Sequence, residues 1–267
     1  MRSAFSLVEL SIVLVILGLL TGGILSGQSL IRAAEIRSVS NEYNRWVTAA
    51  HTFRDKYFAI PGDMNNATAF WGTAAACPGN NTNTTAPGIP TCNGDGNGML
   101  TTGNATVANE TFRFWQHLAN AGLIEGTFTG VSNHANSVTV YGSTSTPNIP
   151  KSKFPNAQWL VYYLGQQDIT SPDYFDGEYG NAFRYGTGNI GTNKVMKPEE
   201  AWNIDTKVDD GMPGLGRVRT VKWQAESNVN IACTTPVTTT ASSIAASSTY
   251  LLSNTGTNCS LIMNTGI

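Results

Sequence analysis

The side chains in this sequence that can do chemistry lie in a few short stretches. Asn93-Gly94-Asp95-Gly96-Asn97-Gly98 alternates side-chain oxygens with glycines, the pattern of the first half of a calcium loop, where hard oxygen ligands surround a tight turn. The first position carries Asn in place of the usual Asp, and Asn104 stands where a bidentate Glu would close the loop. With a single formal charge, Asn93, Asp95 and Asn97 need a further acid to hold an ion. Glu110 or the group Asp205, Asp209 and Asp210 are the candidates. Without an ion the stretch reads as a Gly/Asn turn. Asp209 and Asp210 also fall at the C-terminal end of an expected helix, the negative end of its dipole, so a compensating group is needed. Lys207, Arg217 or a cation would serve.

Catalytic constellations are missing from the sequence. Its histidines are His51, His117 and His134, and the first two fall in expected helices, where a packed or solvated role is the default. There is no Gly-x-Ser-x-Gly elbow and no His-Glu-x-x-His pair. Gly186-Thr-Gly188-Asn-Ile-Gly191 has the letters of a dinucleotide fingerprint, but Thr192 to Pro198 follows it in place of a long helix. The chain therefore reads as a non-enzyme without an organic cofactor, calcium being the one candidate ion. With 16 Lys+Arg against 18 Asp+Glu and no basic run, it also lacks the electrostatic footprint of a nucleic-acid binder.

Cys77 and Cys92 bracket one uncharged stretch, and Cys233 and Cys259 bracket another. Four cysteines allow three connectivities, of which sequence-local pairing is the simplest, and four buried free thiols are the alternative. In an oxidising compartment a bridge over about 15 residues contributes roughly 3 kcal/mol.

The most informative acid is Glu9. It is the only charge between Phe5 and Leu25 in a run otherwise made almost wholly of apolar residues. As a helix this run spans about 30 Å, one bilayer crossing. Arg2 marks the short end as cytoplasmic. A cleaved secretory signal is disfavoured, because the segment before the run has four residues, the run is long and an acid interrupts it. A carboxylate at a helix centre in lipid costs about 3 kcal/mol, less near a helix N-terminus, so its presence points to a function.

Ala4-Phe5-Ser6-Leu7-Val8-Glu9-Leu10 followed by an apolar helix resembles the type III signal of type IV pilins and type II secretion pseudopilins. The resemblance implies that a prepilin peptidase cuts between Ala4 and Phe5 on the cytoplasmic side and methylates the new amino group of Phe5. It implies that Glu9 pairs with the Phe amino terminus of a neighbouring subunit, so that docking neutralises a buried acid and a buried amine together. The implied partners are the peptidase, the bacterial inner membrane and other pilin-like subunits in a homo- or hetero-filament, with the head in the periplasm. The leader ends in Ala4 where Gly is usual, and Ser26 stands where many pilins carry a kinking proline, with Gly22, Gly23 and Gly27 at the same depth. The Cys233/Cys259 pair resembles the C-terminal disulfide loop of type IV pilins, and calcium sites occur in some major pseudopilins.

These residues need elements to position them. Ile36, Val39, Tyr43, Trp46, Ala50, Phe53 and Tyr57 recur at steps of three and four, one apolar stripe on a helix. A helix of about fifty residues is expected to leave the bilayer and cover that stripe with a head. The expected organisation is a leader over 1–4, a membrane segment over 5–25, an amphipathic helix over 26–57 and a head over 58–267. In the head, Asp63 is expected to cap a short helix to Trp71. A second helix runs from Glu110 to Ala121 and stops at Gly122 with Leu123 as its latch. A third opens at Pro198 and stops at Gly211. Strands are expected at Ser137–Tyr141, Trp159–Leu164, Ala182–Tyr185 and Arg217–Gln224. The fold class is α+β, a long N-terminal helix on a loop-rich head with a small antiparallel sheet, pilin-like by the resemblance. Charged residues make up 13% of the chain, about half the usual quarter, and the deficit sits in the apolar run and the cysteine-bracketed stretches. The bulk of the head favours a minor filament subunit. The competing reading is a membrane-tethered binding or adhesin head, with calcium as its ligand-site ion.

Overall fold

A computed structural model of the chain describes residues 7–74, 77, 89–101, 109–128, 130, 149–169, 171, 173–187, 193–221, 232–235 and 245–267. Ala4, Phe5, Asn104 and the expected strand Ser137–Tyr141 lie outside them.

The first helix, α1 (Leu7–Tyr57), runs unbroken for 51 residues, about 75 Å at 1.5 Å per residue. It passes through Gly18, Gly22, Gly23 and Gly27 as regular helix, with open space around each. Its second half carries the apolar stripe: Val39, Tyr43, Trp46, Ala50 and Phe53 are buried together with Ala49. Ile36 and Tyr57 pack against the same core at its margins.

The head supplies what the stripe needs. Its helices are α2 (Ala67–Trp71), α3 (Glu110–Asn120) and α4 (Pro198–Val208), and its strands β1 (Gln158–Tyr163), β2 (Gln166–Gln167), β3 (Gly177–Glu178), β4 (Asn181–Gly186), β5 (Val218–Thr220), β6 (Thr234–Thr235), β7 (Thr249–Tyr250) and β8 (Leu261–Asn264). One four-stranded sheet has the order β1-β4-β8-β5, antiparallel throughout. The two other pairs, β2-β3 and β6-β7, are two-residue ribbons.

Side-chain alternation gives the sheet two apolar faces. Val161, Phe183, Met263 and Val218 lie in register across the four strands and join the core that holds α1 and α3. Ala182 and Ile262 face the other way, into a smaller cluster with Leu164, Tyr179 and Val221. The Phe183 ring is the hub of the main core, with Trp115 and Trp159 at 5.8 Å, Phe114 at 5.9 Å and Tyr43 at 6.3 Å, separations at which aromatic pairs attract.

Helix α3 lies inside the head, with every residue from Glu110 to Leu118 buried. It ends as its sequence predicts: Gly122 takes φ +71° and the Leu123 N–H closes back on the Leu118 carbonyl at 3.0 Å. Helix α4 has Pro198 in its first turn, and the Glu200 carboxylate accepts the Lys197 N–H at 2.9 Å, half of a capping box.

The structure corrects one expectation and adds one strand. Asp63 does not cap α2, which starts after Asn66, a residue whose own side chain makes no capping bond; the Asp63 carboxylate is engaged elsewhere. The C-terminal run Leu261–Asn264 forms β8, between β4 and β5 in the sheet, although a four-residue run amid Ser, Thr and Asn gives too little alternation to read as a strand. The cysteines pair as sequence neighbours, Cys77 with Cys92 and Cys233 with Cys259, with Cα separations of 5.5 and 5.1 Å inside the range for a bridge.

Candidate functional site

From Leu7 to Ile31 helix α1 stands clear of the head. Leu7 is 86% exposed and Leu19 73%, and the most apolar 18 residues have a mean hydropathy of 2.4 with none of them buried inside the molecule. A surface helix of a water-soluble domain keeps a polar face; this one is apolar all round, and it is long and apolar enough to cross a membrane. Ser11, Thr21 and Ser29 turn their hydroxyls back onto the helix. Ser11 donates to the Val8 carbonyl at 2.8 Å and Thr21 to the Leu17 carbonyl at 2.9 Å, so neither needs a partner from outside in a medium without water. Glu9 lies in the first described turn, on the bare part of the helix.

Where the bare part meets the head, Arg32 forms a two-pronged pair with Glu200 of α4 at 2.5 and 2.8 Å and also reaches Glu35 at 2.9 Å. Its guanidinium lies 4.1 Å over the Phe154 ring. The bond to Glu200 raises the Arg32 pKa further. Burial alone would raise Glu200, but the Arg32 pair overrides it and holds the carboxyl below the usual range. Three turns on, Glu42 accepts the Trp159 indole N–H at 2.7 Å, the Lys153 N–H at 2.9 Å and the Ser152 hydroxyl at 2.7 Å, and the Tyr43 hydroxyl donates to the Asn264 carbonyl of β8 at 2.7 Å. These contacts fix the head on the helix. Arg32 and Glu42 read from the sequence only as charges off the apolar stripe; nothing local names Glu200 as a partner 168 residues away.

The loop Asn93–Gly98 docks on Asp63. The Asp63 Oδ1 accepts the N–H groups of Gly96 at 2.7 Å and Asn97 at 3.1 Å, and its Oδ2 accepts that of Gly98 at 2.8 Å. Gly94 approaches so closely that a Cβ there would lie 2.4 Å from the Asp63 backbone. Glu110 accepts the Asp95 N–H at 3.1 Å on one oxygen, and the Thr101 N–H at 3.0 Å and hydroxyl at 3.1 Å on the other. Asp63, Asp95 and Glu110 thereby bring carboxylate oxygens within 4.8 Å of one another. Burial raises the Asp63 pKa. It pushes Glu110 to about 7, with Asp63 and Asp95 adding to the rise.

Glu110 is thus the acid brought to Asp95, with Asp63 as a third that the loop pattern does not include. Asp205, Asp209 and Asp210 form a group of their own. The donor set does not fit a calcium loop. The Asn93 side-chain oxygen is taken by the Thr68 N–H at 2.8 Å and that of Asn97 by the Met99 N–H at 2.7 Å. Asp63, Asp95 and Glu110 converge with one carboxylate oxygen each, three against the six to eight ligands that calcium takes. Backbone amides supply positive partial charge to these acids.

The second acidic group is built the same way. Asp205 accepts the Tyr250 hydroxyl at 2.8 Å and the Gly211 N–H at 3.2 Å. Asp209 accepts the Arg217 and Val218 N–H groups, and Asp210 that of Met212 at 2.8 Å. The compensation expected from the Lys207 or Arg217 side chain, or from a cation, is provided by main-chain amides. Burial, with the charges of Asp210 and Asp209, pushes Asp205 up to about 7.

No family model matches the chain, and no curated protein or solved structure matches it either. His117 is buried, accepts the Gly62 N–H on Nδ1 at 2.9 Å and meets Thr91 Oγ1 through Nε2 at 2.9 Å. Burial lowers its pKa to about 3, a neutral core histidine and no proton shuttle. The surface that sets this chain apart is the bare half of α1 with its single acid, and what that surface can do is enter lipid or pack against other helices.

Proposed function

We propose that the chain is a prepilin-like subunit. A prepilin peptidase cleaves it between Ala4 and Phe5 and N-methylates Phe5, and the mature helix carries it from the inner membrane into a type IV pilus or a type II secretion pseudopilus, with the head on the periplasmic side and as a minor subunit. The observation that carries this reading is the division of α1: an all-round apolar half with one acid near its start, continuous with a half whose stripe is sealed by the head. A membrane anchor alone needs no acid. An acid about one turn into the helix, with Phe5 as the new terminus, supplies a charge for the amine of a neighbour, and pairing removes two desolvation costs at once.

The test is Glu9→Ala. This variant is expected to insert in the membrane and fold like the parent, because its head contacts are untouched, yet to be lost from sheared filaments. Incorporation at the parental level would remove the role given to Glu9.

A second reading, a tethered binding head whose filament role is incidental, is favoured by Phe58. That ring is 92% exposed at φ +55° beside a pocket of about 260 Å³ lined in part by Ile60, Asp63 and Gly98. Phe58 closes the end of α1, its N–H donating to the Arg54 carbonyl at 2.8 Å, and residues in sparsely populated backbone regions cluster at functional sites. Filament loss in Glu9→Ala together with a retained head ligand would join the two readings.

A further inference from the structure

Arg113, in the middle of α3, is 3% exposed. Its Nη1 donates to the Gln116 side-chain oxygen at 2.6 Å, its Nη2 lies 3.2 Å from the sulfur of Cys92, and its Nε is buried without a partner. Among the described residues no carboxylate pairs with it: the ion pairs there are made by Arg32 and Arg45. Opening that disulfide would place a cysteine sulfur able to ionise 3.2 Å from this buried cation. We propose that Cys77–Cys92 is a reactive disulfide, opened by an external dithiol that attacks Cys77 and leaves Cys92 as a thiolate held by Arg113.

The geometry sets the direction of attack. Cys92 is 1% exposed and Cys77 is half-buried, so Cys77 is the more open side of the bridge for an incoming thiolate. The new bond forms between the reagent sulfur and Cys77 Sγ, the Cys77–Cys92 bond breaks, and its electron pair goes to Cys92 Sγ. The second thiol of the reagent then displaces Cys77. The dithiol loses two electrons and two protons and becomes a cyclic or protein disulfide; Cys77 keeps one proton, and the other passes to solvent while Cys92 stays ionised. A leaving sulfur with a lowered pKa departs faster and shifts the equilibrium toward the reduced form.

The leaving thiolate also stays in place. Its neighbour Thr91 is tied into the core by hydrogen bonds to Gln116 at 2.8 Å and His117 at 2.9 Å and by main-chain bonds with Gly72 and Ala74. The burial cost of the guanidinium is met in either redox state, so the thiolate gains a charge partner without adding a second desolvated cation. Cys233–Cys259 offers the contrast, since both of its sulfur residues are buried in the main apolar core.

The test uses the full chain in detergent micelles, equilibrated in graded ratios of reduced to oxidised dithiothreitol, quenched with iodoacetamide and mapped by peptide mass. Cys77–Cys92 should open at a lower ratio than Cys233–Cys259. In the opened protein Cys92 should be alkylated with a pKa at least one unit below the ordinary thiol value of about 8.5. Arg113→Gln should need about tenfold more reductant to open the same bridge, equivalent to about 30 mV, and Arg113→Lys should restore most of the difference. Opening of both bridges at one ratio, or a Cys92 pKa at or above the ordinary value, would overturn the proposal. If Arg113→Gln does not fold, the Cys92 titration in the parent protein decides alone.

Discussion

Residues Leu7 to Ile31 and residues Glu35 to Tyr57 belong to one continuous helix, but their side chains meet different surroundings. In the second stretch one stripe is buried and the rest is wet, so the helix owes its stability to packing against α3, α4 and the sheet. In the first stretch every face is apolar and none is covered by the chain itself. Polar groups follow the same division. Ser11 and Thr21 turn back onto their own helix, whereas Arg32, Glu42 and Tyr43 reach across to the head. A helix that must work in lipid satisfies its polar atoms internally, and one that must hold a domain spends them on that domain.

Truncating one large side chain in each half should have very different effects. Phe53→Ala opens the core and is expected to cost about 3–5 kcal/mol, lowering the head's thermal midpoint by roughly 10 °C in detergent at the 2–4 °C per kcal/mol typical of domains this size. Leu14→Ala, in the bare half, should leave that midpoint within about 1 °C. Equal shifts in calorimetry would mean that the two halves are not separate.

A smaller effect concerns pH and involves the head alone. Glu110 and Asp205 both titrate near 7 in the folded head, pushed up by burial and neighbouring acids. Between their ordinary values and 7 the native state binds protons that the unfolded chain has released. Their contribution to stability is therefore full below the ordinary carboxylate range and declines as pH rises to about 7. Glu200 runs the other way, with its pKa lowered, and its stabilisation fades only as pH falls through the acid range. The head should melt higher at pH 5 than at pH 8, and Glu110→Gln should flatten that slope. The bare half should leave the slope untouched, so Leu14→Ala should reproduce it.

The smallest expected effect is from calcium. Because amides already occupy the Asn93, Asn97 and Asp63 oxygens, millimolar Ca²⁺ or EGTA should leave the melting temperature unchanged. A rise of several degrees with Ca²⁺ would show an ion bound to the native state.

The elements with a strong period were legible in the sequence. The stripe from Ile36 to Tyr57, the helix stop at Gly122 and the Pro198 start of α4 all follow from local chemistry, which needs only neighbouring residues to be read. What was not legible depends on residues far apart. Asp63 reads as a helix cap, and only the fold shows that the amides of Gly96, Asn97 and Gly98 reach it first. Gly94 is visible as a glycine, but not as the point where two backbones nearly touch. Strand β8 is a short apolar run whose place in the sheet depends on β4 and β5 pairing to either side. Nothing local to Arg113 shows that it lies inside the head with every residue from Glu110 to Leu118.

The division of α1 has its most direct consequence at the first residues of the chain. Coexpression with a prepilin peptidase, followed by mass spectrometry of the intact protein and its N-terminal peptide, should show a chain shortened by Met1 to Ala4 and beginning with N-methyl-Phe5. A chain that keeps Met1 to Ala4 in the presence of active peptidase, or one cut beyond the apolar run, would contradict the prepilin reading.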